Sequence, residues 1–497
     1  MTPSQALYQS AGLRAVEAAA AEAPLMQRAG RAAADFAGQL VADRQAPILV
    51  LAGPGNNGGD GFEMATHLLD EGHDLRLVFA GDAAKLPADA AAARRRFLAA
   101  GGVELAAIPA GVRWRLIVDA LFGIGLVRPL AGRFAELAEA ANALAGRCRC
   151  PLLALDCPSG LDADTGAVRG ERAVRASHTI TFIALKPGLL TADGPDHCGV
   201  LRLAPLALDA PALAAPDGET VAVAGFAAHL GPRRRNSHKG SNGSAGILGG
   251  APSMLGAAFL AGRAALQLGA GRVYLGLVDP AAPGFDANQP ELMLRGAEAL
   301  LATGLTALAC GPGLGAGPAQ VALLEAACAR ELPLLLDADA LNLLAHEGNL
   351  EVAVASRRSP TLLTPHPAEA ARLLDSDVAT VQADRIAAAR ELAAQFDAEV
   401  ALKGCGTVLA SPDGRWRVNA TGNPGMGTAG MGDVLSGLVV ALLAQGWPAA
   451  AALAAGVHLH GAAADALAAD IGEIGLTASE TIPVARRLFN RWLAARE

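Results

Sequence analysis

The stretch from Asn419 to Ala444, NATGNPGMGTAGMGDVLSGLVVALLA, runs a glycine-rich loop straight into an apolar helix that opens at Asp433. Gly425, Gly427, Gly430, Gly432 and Gly437 let the backbone come within hydrogen-bonding range of a ligand. Free N–H groups and the helix dipole at such a start favour phosphate. Asp433 stands where a carboxylate meets whatever those amides hold, which makes it the candidate base. Taken alone, the stretch fits equally well a loop of tight turns whose Asp caps the helix.

The rest of the chain favours the first reading, because short apolar runs ending in polar loops recur along it. Pro47 to Ala52 is a continuous apolar run, as in a strand covered on both faces. It breaks at GPGNNGGDG (53–61), and a helix is expected from Phe62 to Asp70. Strands over 75–80, 115–121 and 152–155 alternate with helices over 89–100 and 133–145. That alternation predicts an α/β fold, a doubly wound parallel sheet with its crevice at the carboxyl ends of the strands. Three strand ends are polar: NNGGDG (56–61), DALFG (119–123) and DCPSGLD (156–162). Oxygens of Asn57, Asp119 and Ser159 suit a hard monovalent cation. Asp156, at the tip of a buried strand, suits proton transfer. Turn-forming Asn-Gly pairs and capping aspartates explain any one of these loops, but three at consecutive strand ends less well. No GxGxxG fingerprint is present.

Composition narrows the function classes. The 497 residues are 52% hydrophobic and 18% charged, which excludes disorder and predicts two or three domains. Aromatic residues are only 4% and the net charge is −8, so no nucleic-acid partner is expected. Arg94–Arg96 and Arg233–Arg235 read as solvated surface. The first residues carry Glu17 and Glu22 within an amphipathic helix, unlike a signal peptide. No apolar run is long enough to span a bilayer. Seven cysteines suggest reduced thiols, and Cys148-Arg149-Cys150 lacks a zinc-spaced partner cluster. These features predict a cytoplasmic protein without a membrane partner.

With those residues in place, NNGGDG, DALFG and LDCPSGLDADTG resemble the NAD(P)H-hydrate epimerase domain over residues 1–215. The resemblance implies a Rossmann-like sheet with Asp156 catalytic and potassium held by Asn57, Asp119 and Ser159. It also implies substrate contacts from Asn56, Asn57, Gly58, Gly59, Asp60 and Asp156. Further contacts come from the loop Gly123, Ile124, Gly125, Leu126, Val127, Arg128 and Pro129. Ile124 stands where the family usually has Thr.

An Ala- and Pro-rich boundary, Leu206 to Gly218, precedes a second series of strand ends. These are GPGLG (311–315), DADALN (337–342), TPHPAE (364–369) and KGCGT (403–407), followed by GMGD. Together they resemble the ribokinase-like ADP-dependent NAD(P)H-hydrate dehydratase over residues 221–497. The resemblance places the nucleotide on Lys403, Gly404, Cys405, Gly406, Thr407 and Gly432. It places the hydrated nicotinamide on Ala258, Gly313, Gly315, His366 and Asp433. Ser241-Asn242 departs from the usual continuation after HKG. ADP is the implied co-substrate, Mg2+ accompanies it, and a homo-oligomer is expected. A small-molecule kinase fused to a non-catalytic binding domain is the competing expectation.

Overall fold

The computed structural model describes residues 3–495. Gln5–Gly218 forms one compact unit, and the chain from Glu219 onward forms the other.

The first unit is built on seven parallel strands. Their order is Glu104–Leu105, Leu75–Phe79, Ile48–Ala52, Leu116–Ala120, Leu152–Leu155, His178–Phe182 and Val200–Ala204. The chain winds outward from Ile48–Ala52 and then returns to pair Leu116–Ala120 on its other side. That reversal is the topological switch point, where a crevice opens beyond the carboxyl ends of the strands. NNGGDG and DALFG lie on its two sides. The last two strands lack a continuous apolar run and were absent from the sequence reading. His178, Thr179, Thr181 and Arg202 interrupt them.

One expectation is corrected here. The helix after the first strand begins at Asn56, not Phe62, so NNGGDG forms its first turns. Glycine is a poor helix former, which is why the segment reads as a loop. Packing overrides that propensity. A Cβ on Gly58 would stand 2.0 Å from the Gly53 carbonyl oxygen, and one on Gly61 2.7 Å from the Ala120 Cβ. Only glycines let this helix start lie directly on the strand tips. The Ala- and Pro-rich boundary is likewise structured. Ala210–Leu213 makes a helical turn with Ala210 buried, and the Tyr8 hydroxyl donates to the Ala214 carbonyl at 2.8 Å.

In the second unit the parallel strands run Leu334–Leu336, Ala307–Cys310, Ser244–Gly249, Arg272–Leu277, Met293–Gly296. On the other side Leu334–Leu336 is followed by Thr361–Leu363 and Glu399–Leu402, and then by two antiparallel strands, Thr407–Ala410 and Trp416–Asn419. The switch point falls between Ser244–Gly249 and Ala307–Cys310. The helix Met431–Ala444 is buried along nearly its whole length, as an all-apolar helix must be. It lies against Leu255–Gln267 so closely that a Cβ on Gly437 would be 2.1 Å from the Ala261 carbonyl oxygen.

No helix among the described residues is long and apolar enough to cross a membrane.

Candidate functional sites

In the first unit, Asp156 follows the strand Leu152–Leu155 with φ +65°, an uncommon conformation for a residue with a side chain. Its Oδ1 accepts from Lys186 Nζ at 2.6 Å, and its Oδ2 accepts from the Ile124 amide at 3.2 Å. Lys186 is fully buried and also donates to Thr181 Oγ1 at 2.7 Å and the Phe182 carbonyl at 2.8 Å. A buried ammonium bonded in this way holds the rotamer of Asp156. Gly123 is required beside it, because a Cβ there would stand 2.5 Å from Asp156 Oδ2. Lys186 escaped the sequence reading. It lies 30 positions from Asp156 in an Ala-Leu-Lys-Pro-Gly stretch that carries no loop signature of its own.

Asp119 is fully buried. Its carboxylate accepts from Ser159 Oγ at 2.7 Å, the Ser159 amide at 2.8 Å and the Leu121 amide at 3.1 Å. Burial pushes its carboxyl up to about 6, against the pull of those donors. Asn57 is buried nearby on the helix start, and neither polar atom of its side chain has a hydrogen-bond partner. An orphaned amide in a buried position is costly unless something else coordinates it. Asn56 is exposed, and Gly58 and Gly59 are packed. Asp60 is half-buried, its carboxyl raised by burial and by the charges of Asp156, Glu17 and Glu63.

The loop from Gly123 to Pro129 is mixed. Gly125, Val127, Arg128 and Pro129 are exposed, whereas Leu126 is buried in the core. Ile124 packs partly against the core beneath the crevice, and its amide is the group that reaches Asp156.

In the second unit, Asp433 sits in the first turn of Met431–Ala444, beyond Gly430 at φ +89°. Burial, the negative charge of Asp337 and that of Asp339 raise its carboxyl to about 6, while Lys403 works against them. Asp337, buried at the end of Leu334–Leu336, accepts from Lys403 Nζ at 2.7 Å and from Ser436 Oγ at 2.7 Å. Lys403 Nζ also lies 3.8 Å from Glu369 Oε2. Burial raises the Glu369 carboxyl to about 7 despite that amine.

His366 caps the helix Pro367–Leu373. Its Nδ1 accepts from the Ala368 and Glu369 amides at 3.1 and 3.3 Å, and its own amide donates to Glu369 at 2.7 Å. An acceptor at Nδ1 leaves the proton on Nε2, the tautomer of a neutral ring. Burial and Lys403 lower the His366 pKa in the same direction. His460 is buried with its Nε2 unpartnered, lowered to about 4 by burial and Lys403. Asp337, Glu369, Ser436 and His460 were not singled out from sequence. Only the motifs DADALN and HPAE drew attention to the first two.

The nucleotide candidates Lys403 to Thr407 form the turn between two antiparallel strands, with Gly404 at φ +142° and Gly406 at φ +61°. A Cβ on Gly404 would meet the buried Arg385 guanidinium at 2.8 Å. Cys405 is exposed, and Thr407 Oγ1 donates to the Gly404 carbonyl at 3.2 Å. Gly432 abuts the Lys403–Asp337 pair. Gly313 accepts from the Ala251 amide at 2.7 Å, and the Gly315 amide donates to Asp339 at 2.8 Å. Ala258 is wholly buried, with its methyl against Gly250.

Asp465 anchors the loop before Gly430 by accepting from the Gly422 amide and from Asn423 Nδ2, each at 2.9 Å. Among the described residues, no group of three or more His, Cys, Asp or Glu side chains is disposed to hold a metal ion.

Residues 245–484 match the family described as NAD(P)H-hydrate dehydratase, and residues 22–188 the family described as YjeF-related protein N-terminus. A bifunctional NAD(P)H-hydrate repair enzyme of Coxiella burnetii is 38% identical over 499 residues, 97% of this chain and 99% of its own. One of Escherichia coli is 40% identical over 484 residues, 94% and 89% of the two chains. The ADP/ATP-dependent NAD(P)H-hydrate dehydratase of Bacillus subtilis, co-crystallised with ATP/Mg2+, is 30% identical. It covers 55% of this chain and 98% of that one, with a TM-score of 0.49. Two families matched in succession, within relatives aligned over nearly their whole length, place this chain in the family of bifunctional NAD(P)H-hydrate repair enzymes, which join an epimerase to an ADP-dependent dehydratase.

Proposed function

We propose that the two crevices divide the repair between them, with Asp156 serving epimer exchange and Asp433 serving dehydration. The observation that carries this reading is Asp433, a carboxylate raised to about 6 at a glycine-rich helix start. Such a group is ionised at neutral pH yet basic enough to accept a proton. Amides of the Gly430–Gly432 segment hold the β-phosphate of ADP. Asp433 takes the proton of the C6 hydroxyl of the (S)-hydrate as that oxygen attacks phosphorus. The phosphorylated oxygen then leaves C6 as phosphate while C5 gives up a proton, which forms the C5=C6 double bond of the dihydronicotinamide; the other product is AMP. Lys403, Gly404, Cys405, Gly406, Thr407 and Gly432 bind the nucleotide in this scheme. Ala258, Gly313, Gly315 and His366 bind the hydrated ring.

Mg2+ would arrive with the nucleotide and be held mainly by its phosphates, because the described residues offer no ready-made cluster of three His, Cys, Asp or Glu ligands. It would neutralise phosphate charge there. In the first crevice, the unpartnered amide of Asn57, with Asp119 and Ser159, fits a potassium ion. Such an ion would supply fixed positive charge beside the substrate. Asn56, Asn57, Gly58, Gly59, Asp60 and the Gly123 to Pro129 loop bind the substrate around Asp156.

All seven cysteines are free thiols, which supports a cytoplasmic setting.

Incubating the chain with both epimers of NADH-hydrate and ADP should restore NADH and accumulate AMP. Activity with ATP alone and a stable phosphate ester as product would instead favour a small-molecule kinase. Exchange of the epimers should respond to potassium and ignore chelators. Full chelator sensitivity with no potassium response would remove the cation assignment.

A further inference from the structure

The helix Met431–Ala444 carries two polar side chains, Asp433 and Ser436, in an otherwise apolar sequence. Three positions apart, they are neighbours on one face of the helix. Ser436 is fully buried. A hydroxyl has one proton to give, and within a helix it commonly goes to a carbonyl one turn back. Here it crosses to another element instead. Ser436 Oγ donates to Asp337 Oδ2 at 2.7 Å, 99 positions away in sequence.

Asp337 joins three elements at that point. Its amide donates to the Cys310 carbonyl at 3.1 Å, and its carbonyl accepts from the Ala340 amide at 3.1 Å. Its backbone is therefore fixed just beyond Leu334–Leu336, and the torsion of its carboxylate is what remains free. Ser436 pins one oxygen, and Lys403 Nζ donates to the other at 2.7 Å. With Oδ2 taken, the carboxylate cannot turn both oxygens on the amine. An ammonium has three donors, and Asp337 takes one of them. Glu369 Oε2 stands beyond hydrogen-bond distance, at 3.8 Å. Lys403 thus keeps donors for an anion. A Cβ on Gly432 would lie 3.6 Å from Lys403 Nζ and 3.5 Å from Asp337 Oδ2. The amine accordingly stands at the glycine-rich helix start whose amides attract phosphate.

We propose that Ser436 is a positioning residue for the nucleotide: through Asp337 it sets where the Lys403 ammonium meets the phosphate of ADP. This rests on the assignment of ADP to the second crevice. Being fully buried, Ser436 touches no ligand and acts only through this pair. Without the hydroxyl, the Asp337 carboxylate is free to swing both oxygens onto Lys403. The amine is then drawn toward Asp337 and away from the phosphate. Ala258, Gly313, Gly315 and His366, which bind the hydrated ring, make no bond to the Ser436–Asp337–Lys403 chain. The ring should therefore not sense the change.

The test measures dehydration of (S)-NADH-hydrate by the intact chain, with ADP and the hydrate varied separately. Ser436→Ala places a good helix former in an apolar helix, so the fold should hold. It should raise KM for ADP about tenfold, as expected for one lost hydrogen bond to a charged group, with KM for the hydrate near wild type. Epimer exchange should be unchanged. Lys403→Gln removes the charge but keeps a donor for Asp337, and should weaken ADP by itself. On that background Ser436→Ala should cost little more, because it acts through the amine. A wild-type KM for ADP in S436A would overturn the proposal. So would a loss in S436A that adds in full to that of K403Q, or that falls equally on KM for the hydrate, since either marks a packing role. A K403Q chain with wild-type KM for ADP would instead remove the nucleotide from this loop, and the proposal with it.

Discussion

The two crevices each centre on an aspartate, Asp156 just after a parallel strand and Asp433 in the first turn of a buried helix, but they treat its charge in opposite ways. Asp156 is neutralised by Lys186 at 2.6 Å and steadied by the Ile124 amide. Asp433 is left without such a partner. The lysine of its crevice, Lys403, is bonded to Asp337 instead, and Asp337 pushes the Asp433 carboxyl upward. A paired carboxylate suits stabilising positive charge on the ring during exchange. An unpaired, raised carboxylate suits taking a proton from a weakly acidic hydroxyl. The same side chain therefore does different chemistry according to where the neighbouring amine is bonded.

The largest effect should follow from removing the unpaired base. Asp433→Ala should lower (S)-hydrate dehydration roughly 10²–10⁴-fold, read as NADH recovery, and leave epimer exchange near wild type. Equal loss of both activities would show that the crevices do not act separately. Lys186→Met probes the paired side. It strands a buried carboxylate, at a cost of about 3–5 kcal/mol to the first unit in chemical denaturation, and epimer exchange should fall with it. If exchange and stability both survive, the pair does not set the state of Asp156.

Much of this was legible in the sequence, for a physical reason. A strand buried on both faces must be a continuous apolar run, so its end is marked by the first polar or glycine-rich residues. Asp119, Asp156 and the Lys403 loop stand at such ends, whereas Asp433 is marked by the glycine-rich loop that runs into its apolar helix. What stayed hidden was pairing. Lys403 and Asp337 are 66 positions apart, and Ser436 and Asp337 are 99 apart. A lone Lys or Ser in an apolar stretch announces no partner. The NNGGDG segment misled in the other direction. Its glycines read as a loop, yet they are there so that a helix start can touch the strand tips. The strands His178–Phe182 and Val200–Ala204 were missed because their polar residues break the apolar run.

Two smaller effects sharpen the contrast inside the second crevice. Gly432→Ala would put a Cβ 3.5 Å from Asp337 Oδ2 and 3.6 Å from Lys403 Nζ, ordinary contacts that the fold tolerates. KM for ADP should nevertheless rise about tenfold, roughly 1.4 kcal/mol, because the methyl intrudes on the phosphate approach. An unchanged KM would move the phosphate elsewhere. Asp337→Asn removes the like charge that raises Asp433 and frees Lys403 from its partner. The acid limb of dehydration, which falls as pH drops through about 6, should shift to lower pH. A limb that stays in place would assign it to another group, such as Glu369.

The central claim is that one chain holds two independent sites, with Asp156 responsible for exchange. The most direct measurement is NADH recovery by an Asp156→Ala chain given a mixed pool of both epimers and ADP. The (S) form should be consumed rapidly and the (R) form only as it converts spontaneously, so recovery should be biphasic, fast and then slow. Recovery in a single fast phase would contradict the account, because the crevice around Asp156 would then have no part in exchange.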